Sequence, residues 1–248
     1  MIIAFANHKG GTGKTTSVMN IGCLLAQKGN KVLLVDMDPQ GNLTYSLGMS
    51  HEKLTVADLL LQKKTFNEVA CESNGLHVLP ANGTLYKNAD AILASNKSHQ
   101  GLKKALDEVK DNYDFILIDC PPSISLYTLN ALNAADGVII PLLLEILSVQ
   151  GLDQVIDEIF NIQQTSNPSL KVIGAMGTIV NESRKLTEEI LEYIRDNYNI
   201  SIFNNYVHNS VKAAEAPSFA MSVVEYAPTS TSAIDYKAIT NELLRMLN

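Results

Sequence analysis

The sequence has little of what disulfide scaffolds, metal-thiolate sites and membrane proteins require. Its 248 residues include three cysteines, Cys23, Cys71 and Cys120, which lie far apart and form no C-x-x-C pair. We interpret them as buried or incidental thiols of a reducing compartment. No apolar run approaches the ~20 residues of a membrane span, and the N-terminus enters its first predicted strand at once, which leaves no room for a signal peptide. These absences predict a soluble, cytosolic protein.

Basic residues are also too few for a protein whose whole task is to hold nucleic acid. The chain carries 19 lysines and arginines against 26 aspartates and glutamates, for a net charge of −7. Any contact with DNA must therefore come from a local patch. The hydrophobic content of 46% and charged content of 18% are ordinary for a globular protein. The length suits one large α/β domain or two small ones, with a substantial core.

Short apolar runs alternate with helical patterns along the chain. The predicted strands are 2–6, 31–36, 76–80, 113–119, 136–141, 171–180 and 200–203, and the predicted helices are 17–27, 54–61, 85–110, 126–134, 148–163, 186–197 and 231–247. This alternation predicts an α/β fold, a mostly parallel twisted sheet with helices on both faces. No repeat, low-complexity tract or long linker divides the sequence, so we expect a single domain over 1–248.

A glycine-rich loop separates the first predicted strand from the first predicted helix. It reads Lys9-Gly10-Gly11-Thr12-Gly13-Lys14-Thr15-Thr16. Glycines let backbone N–H groups converge on an anion, and the helix N-terminus adds partial positive charge. The strict phosphate-loop pattern G-x-x-x-x-G-K-[ST] is not met, because His8 stands where the first glycine belongs and a second lysine precedes Gly10. We predict a phosphate-binding loop in which Lys14 reaches the β- and γ-phosphates and the Thr15 hydroxyl is a candidate Mg²⁺ ligand.

Three aspartates end predicted strands, at the edge of a parallel sheet where nucleotide sites form. Asp119 has the sequence form of a Walker B carboxylate, which would hold Mg²⁺ through water. Asp36 and Asp38 end a neighbouring strand, where a carboxylate can orient an attacking water or support the metal shell. The structural alternative for Asp36 and Asp119 is a carboxylate that caps the following helix.

The loop resembles the deviant Walker A loop of the ParA/MinD ATPases, in which the early lysine is the signature lysine. The similarity to ParA/Soj partition ATPases covers nearly the whole chain. Residues 31–42, KVLLVDMDPQGN, look like the second motif of that family, and residues 114–122, DFILIDCPP, look like its Walker B segment. Residues 215–218, EAPS, match a segment near its C-terminal end. Because the first predicted strand begins at Ile2, the chain resembles the small subclass without an N-terminal helix-turn-helix.

This resemblance implies a Mg²⁺-dependent ATP hydrolase that cycles between a monomer and an ATP-bound homodimer. Lys9 of each subunit would reach the phosphates of the other subunit's nucleotide, and Asp38 would position the hydrolytic water. The implied partners are a ParB-like centromere-binding protein, which would stimulate a slow hydrolysis, and non-specific DNA. The protein would then partition plasmids or chromosomes, in the cytoplasm and on the nucleoid.

The basic residues implied in DNA binding are only partly kept. Arg184 and Lys212 match charged positions of the family. Where the family typically has I-P-R-N, residues 207–210 read VHNS, and where it has S-R-G-A, residues 230–233 read STSA. Fewer cations neutralise fewer phosphates, so we expect weaker DNA binding with a shallower salt dependence.

Other functions of the superfamily are less compatible with this sequence. The sequence ends at Asn248, directly after the predicted terminal helix, so we expect no amphipathic membrane helix of the MinD type. Cys120 has no partner thiol in a suitable position, so we expect no iron–sulfur cluster. Two alternatives stay open: a ParA-like ATPase that positions a protein cargo or regulates replication, and a nucleotide-gated scaffold with negligible hydrolysis. Lys14, Asp38 and Asp119 argue against the scaffold.

Overall fold

The protein is described by a computed structural model that covers residues 1–95, 99–180 and 184–247. Side chains are described for the same residues except 146–150 and 184–186. Within these residues, no helix is both long enough and apolar enough to cross a membrane.

Within the described residues, the strands form a seven-stranded sheet in the order β3-β4-β2-β5-β1-β6-β7. Neighbouring strands are parallel except β3 and β4, which are antiparallel. The strands are β1 (Ile2–Phe5), β2 (Val32–Asp36), β3 (Cys71–Ser73), β4 (Leu76–Leu79), β5 (Phe115–Asp119), β6 (Gly137–Leu143) and β7 (Lys171–Thr178). The central strands β1, β2 and β5 are almost entirely buried, as expected for parallel strands covered on both faces.

Helices fill the connections between the strands. They are α1 (Lys14–Gln27), α2 (Asn42–Ser46), α3 (Val56–Leu60), α4 (Phe66–Val69), α5 (Thr84–Leu93), α6 (Gly101–Asp107), α7 (Leu126–Ala134), α8 (Ile146–Thr165), α9 (Arg184–Asn197), α10 (Val211–Glu215), α11 (Val223–Tyr226) and α12 (Thr231–Leu247). Short 3₁₀ helices lie at Lys110–Asn112 and Ala216–Phe219.

The two faces of the sheet bury two separate hydrophobic cores. Along β1, Ile2 and Ala4 join one core, while Ile3 and Phe5 join the other, because successive side chains of a strand point to opposite faces. Helices α1 and α12 cover the second core, and α7 and α8 cover the first. Helices therefore cover both faces, and the predicted α/β fold class is confirmed.

The sequence patterns locate most elements to within a few residues, with two corrections. The helical pattern over 85–110 forms two helices, α5 and α6, rather than one. The strand predicted at 200–203 shrinks to a single parallel bridge between Ile202 and Ala175, where the Ala175 N–H donates to the Ser201 carbonyl and the Phe203 N–H donates to the Ala175 carbonyl, each at 2.9 Å. This pairing is interrupted at Asn204 and Asn205, which hydrogen-bond to Glu242 on α12, and it resumes where the Val207 N–H donates to the Gly177 carbonyl at 3.0 Å.

Candidate nucleotide-binding site

The glycine-rich loop connects β1 to α1 at the carboxyl edge of the central strands. Gly11 and Gly13 adopt left-handed conformations, with φ of 72° and 71°, which glycine alone reaches without steric cost. Helix α1 begins at Lys14, and the Ser17 N–H donates to the Gly13 carbonyl at 2.9 Å. The N–H groups of Lys14, Thr15 and Thr16 precede this bond and have no carbonyl partner within the helix, so they can face an anion.

Hydrogen bonds fix the loop to the neighbouring strands β6 and β7. The Thr178 hydroxyl, at the end of β7, donates to the Thr12 carbonyl at 2.9 Å. The Asn7 amide donates to the Pro141 carbonyl on β6 at 2.7 Å, and its Oδ1 accepts the Lys9 N–H at 2.9 Å. These hydrogen bonds therefore hold the backbone of the loop in place.

An open cavity of about 360 Å³ lies over the loop. Ligand pockets usually measure roughly 300–1,000 Å³. Its wall consists of residues 10–16, Asp38, Asn42, Ser46, Pro122 and Ile179. The cavity thus unites the predicted phosphate loop with Asp38 from the turn after β2.

Lys14 is the charged group of the loop that is buried. Its side chain is 6% exposed, and its Nζ donates to the Lys9 carbonyl at 3.0 Å. Burial lowers the pKa of Lys14, although the nearby Asp119 carboxylate opposes this effect. A buried ammonium with a single backbone acceptor has donor capacity left for phosphate oxygens.

Asp119 and Asp36 occupy paired positions at the ends of the adjacent strands β5 and β2. Asp119 is completely buried; its Oδ2 accepts the Thr15 hydroxyl at 2.7 Å, and its Oδ1 has no hydrogen-bond partner among the residues that the structure describes. Burial, and then the neighbouring Asp36 carboxylate, raise the pKa of Asp119 well above its usual range. An unpartnered buried carboxylate oxygen is costly, so this atom calls for a cationic or hydrogen-bonding ligand.

Asp36 is equally buried, but both of its oxygens have partners. Oδ1 accepts the Asp38 N–H at 3.0 Å, and Oδ2 accepts the backbone N–H and hydroxyl of Thr44 at 2.9 and 2.7 Å. Burial raises the pKa of Asp36, against the opposing effect of the Thr44 hydrogen bonds. The carboxylate thus anchors the turn after β2 and the start of α2, and its predicted place in the metal shell stays a prediction.

Asp38 lies in the anchored turn and lines the cavity. It is 5% exposed, and its Oδ1 accepts the Gln40 N–H at 2.9 Å. The turn requires glycine at position 41, where φ is 65° and an added Cβ would stand 2.7 Å from the Ala81 carbonyl oxygen. The backbone therefore holds Asp38 at the cavity, where its role in positioning water stays a prediction.

The residues at the site fit a magnesium ion. Mg²⁺ prefers oxygen ligands and is usually held by one or two carboxylates together with substrate phosphates. The Thr15 hydroxyl and the unpartnered Oδ1 of Asp119 supply such oxygens beside the phosphate loop. In the described residues, no group of three or more His, Cys, Asp or Glu side chains could form a metal cage. A magnesium held partly by phosphates needs no such cage.

The predicted DNA-binding residues lie apart from this cavity. Arg184 begins α9, but its side chain is outside the described residues. Lys212, on α10, pairs with Glu215 at 2.9 Å and lies over the Tyr226 ring, 5.6 Å from its centroid. The structure therefore gives Lys212 an intramolecular carboxylate partner, which DNA phosphates would have to displace or share.

Some residues of the site escaped the sequence analysis. Asn7, Thr44 and Thr178 hold the loop and the Asp36 turn through contacts with residues 37 to 166 positions away. Asn7 and Thr44 lie beside recognised motifs, and this proximity is the one feature of the sequence that points to their role in the site. Thr178 ends a predicted strand as an ordinary polar residue, so nothing in the local sequence distinguishes it.

Known proteins are similar to this chain over most or nearly all of its length. The family model described as an AAA domain matches residues 1–172. The chain is similar to the chromosome-partitioning ATPase Soj of Treponema pallidum, with 38% identity over 244 residues, 98% of this chain and 96% of that protein. It is also similar to the sporulation initiation inhibitor protein Soj of Bacillus subtilis, with 35% identity over 246 residues, 98% of this chain and 97% of that protein.

A similar protein has been crystallised with nucleotide and magnesium. The cobyrinic acid a,c-diamide synthase from Mycobacterium smegmatis, crystallised with an ATP analogue and magnesium, is 34% identical to this chain with a TM-score of 0.87. The alignment covers 99% of this chain and 95% of that one. The same enzyme was also crystallised with ADP and magnesium. These ligands are consistent with a requirement for ATP and Mg²⁺.

Proposed function

Because the chain belongs to the ParA/MinD superfamily of P-loop ATPases, we propose that it is a Mg²⁺-dependent ATPase that partitions DNA as an ATP-bound dimer. The whole chain, residues 1–248, acts as one ATPase domain. The dimer binds DNA without sequence specificity and is released when a ParB-like centromere-binding partner stimulates a slow hydrolysis. Both Soj relatives cover nearly the whole chain, and the name of one of them states chromosome partitioning.

The unpartnered Oδ1 of Asp119, beside the Thr15 hydroxyl, is the observation that supports hydrolysis most directly. When bound there, Mg²⁺ neutralises charge that develops on the β- and γ-phosphates. The N–H groups of residues 10–16 bind the phosphate chain, and Lys14 donates to the β- and γ-phosphates. Asp38, held at the cavity wall, orients the attacking water.

Lys9 acts on the nucleotide of the second subunit. Its backbone is tied to the loop, since its N–H donates to Asn7 and its carbonyl accepts from Lys14. The lysine before Gly10 therefore has a fixed starting point at the edge of the cavity. A cation delivered there from the partner would stabilise negative charge at the γ-phosphate, in the manner of an arginine finger.

The variant Lys9→Ala tests the trans-acting role. We expect it to bind nucleotide as a monomer, because Lys14 and the loop N–H groups remain, and to lose ATP-dependent dimerisation. Gel filtration with and without ATP, together with titration of fluorescent ADP, measures both properties. Lys28→Ala, at the exposed far end of α1, is the matched control and should behave like the wild type. Normal dimerisation of Lys9→Ala with ATP would contradict the proposal.

Non-specific DNA binding should require ATP and fall steeply with salt, because each phosphate contact releases counterions. Lys212→Ala should weaken this binding and reduce the slope of log K against log salt by about one, the contribution of one phosphate contact. Fluorescence anisotropy with two unrelated duplexes at several salt concentrations measures this. Absence of binding at low salt would remove DNA from the proposal and leave the ATPase standing.

Two basic side chains of the C-terminal third already pair with carboxylates: Lys212 with Glu215 and His208 with Asp235, each at 2.9 Å. Because these side chains are then less available to DNA phosphates, the pairing favours an alternative in which the same ATPase positions a protein cargo or regulates replication. A scaffold with negligible hydrolysis is the third reading, and a turnover assay with and without partner separates it from both. The name of the Mycobacterium smegmatis enzyme concerns that protein alone.

A further inference from the structure

Ile179, directly after β7, has an unusual backbone conformation. Its φ is 53°, in the left-handed region, where a β-branched residue is a genuine outlier. Gly, Asn or Asp would occupy this conformation with less strain. The side chain is also 39% exposed, so burial in the protein core does not account for an isoleucine here.

The residues on both sides hold Ile179 in this conformation. The Thr178 hydroxyl donates to the carbonyls of Thr12 and Leu142, at 2.9 and 3.2 Å. On the other side, the Val180 N–H donates to the Val207 carbonyl at 2.9 Å. Strain of this kind persists where the surroundings over-determine it, and such sites cluster where function requires a fixed geometry.

Ile179 lies in the wall of the cavity over the glycine-rich loop. It lines that cavity together with the loop residues 10–16 and Pro122. Through Thr178 its backbone is tied to Thr12 of the loop, so its position is fixed relative to the glycine-rich loop. An isoleucine side chain offers no donor to a phosphate. Its favourable contribution at such a position is the apolar area it buries when a further surface covers it.

We infer that Ile179 is an interface residue of the ATP-bound dimer, covered by a second copy of this chain. The inference rests on the dimer of the proposed function and names a contact in it. The occupant is a second copy because Lys9, from the same loop, must approach another subunit's phosphates across this cavity. A two-fold dimer uses the same surface on both subunits, so each dimer buries Ile179 twice.

Substitutions at position 179 separate the side chain from the backbone strain. Ile179→Asn tolerates the left-handed conformation and removes the apolar contact, while Ile179→Leu keeps an apolar side chain of the same size. The side chain is already partly buried, so the dimer covers only its exposed 39%. Because full burial of an isoleucine side chain is worth roughly 10- to 150-fold in affinity, this share contributes about three- to sevenfold per copy, and two copies predict a dimer dissociation constant about 10- to 50-fold higher for Ile179→Asn. Ile179→Leu should stay within about threefold of the wild type, because volume-conserving apolar exchanges cost little.

The matched control is Ile234→Asn, the same substitution at an isoleucine that is 56% exposed on α12 and does not line the cavity. Sedimentation velocity with Mg²⁺-ATP gives the dimer dissociation constant, and fluorescent ADP gives the nucleotide affinity of the monomer. We expect Ile234→Asn to dimerise like the wild type. We expect Ile179→Asn to dimerise about 10- to 50-fold more weakly, while its ADP affinity changes by less than about threefold, a surface-substitution effect.

The outcomes distinguish this inference from the proposed function. A wild type that stays monomeric with ATP overturns both. A wild type and an Ile179→Asn variant that dimerise equally overturn the inference and leave the function standing. Loss of ADP affinity in Ile179→Asn places the residue in nucleotide binding instead, and failure of Ile179→Leu to dimerise shows that an apolar side chain is insufficient; either result overturns the inference.

Discussion

The two edges of the sheet use aspartate in opposite ways. At the amino edge, Asp114 and Asp136 precede β5 and β6, are exposed, and accept backbone N–H groups where β2 and β1 start, each at 2.7 Å. At the carboxyl edge, Asp36 and Asp119 end β2 and β5, are completely buried, and lie side by side. Strand β5 therefore has an exposed and paired carboxylate at one end and a buried carboxylate with an unpartnered oxygen at the other.

The difference separates carboxylates that stabilise the fold from those that destabilise it. An exposed aspartate that accepts a backbone N–H keeps its hydration and closes the end of a strand. Burial removes hydration from both of these carboxylates and raises the pKa of each, and the charge of Asp36 raises the pKa of Asp119 further. Perturbed ionisable groups of this kind concentrate at functional sites. The carboxyl edge thus gives up stability that a cation can restore.

The largest expected effect is that of Asp119→Asn. The amide keeps the shape of the side chain and can still accept the Thr15 hydroxyl, but the charge that would hold Mg²⁺ is lost. We expect ATP hydrolysis to fall about 100-fold or more, the usual consequence of removing one electrostatic element of an active site. The free energy of unfolding should stay equal or rise, because repulsion with Asp36 disappears. Phosphate release at several Mg²⁺ concentrations and urea unfolding measure the two effects.

The control for this experiment is Asp114→Asn, at the opposite end of the same strand. Because surface substitutions usually change free energies by less than ~0.5 kcal/mol, its hydrolysis rate should stay within about twofold of the wild type. Equal losses of activity in the two variants would remove the functional difference between the edges. A clear loss of stability in Asp119→Asn would show that the carboxylate mainly supports the fold.

The sequence predicts the carboxyl edge well because its signals are local. The glycine loop, Lys14 and Asp119 each follow an apolar strand directly, so strand position alone places them at one edge. Long-range contacts escape this reasoning. The left-handed Ile179 depends on bonds to Thr12 and Val207, which no pattern around position 179 indicates.

Long-range contacts also explain why the strand predicted at 200–203 is reduced to a single bridge. The apolar residues of 200–203 satisfy a strand pattern, but the following asparagines bind Glu242, 37 or 38 residues away. Patterns of side-chain spacing report local structure, and competition by distant partners has to be observed.

A third buried carboxylate sharpens the comparison, because hydrogen bonds to it outweigh the effect of burial on its pKa. Glu242 is 5% exposed, and its oxygens accept the backbone and side-chain N–H groups of Asn204 and Asn205 at 2.6 to 3.0 Å. Burial acts to raise the pKa of Glu242, but these hydrogen bonds outweigh it and hold the pKa below the ordinary 4.5. The same residue class therefore stabilises the fold where donors surround it.

Glu242→Gln should lower the free energy of unfolding at pH 7 by about 1–3 kcal/mol, the cost of losing hydrogen bonds to a charged group. The native pKa is lowered, so the stabilisation is complete above the unfolded-state pKa of about 4.3 and is lost as the pH falls through the native value. The difference between variant and wild type should therefore shrink below that pH. Urea unfolding from pH 7 to pH 3 measures it.

Glu192→Gln, on the exposed side of α9, is the matched control for that series. It should change the free energy of unfolding by less than ~0.5 kcal/mol at each pH. A wild-type advantage over Glu242→Gln that persists undiminished at pH 3 would contradict the assignment, because the ionised carboxylate would then not be its source.

The smallest expected effect is that of Asp136→Ala at the amino edge. The substitution removes the acceptor of the Ile2 N–H, where β1 starts beside β6. Since the N–H group is only partly buried, water can replace the carboxylate, and we expect a loss of about 0.5–1.5 kcal/mol in the free energy of unfolding. ATP hydrolysis should be unchanged, because the residue lies at the other end of the strands from the phosphate loop. Paired urea unfolding and phosphate-release assays decide this. A fall in activity comparable to that of Asp119→Asn, without a matching loss of stability, would mean that the amino edge also contributes to catalysis and that the two edges do not divide fold from function.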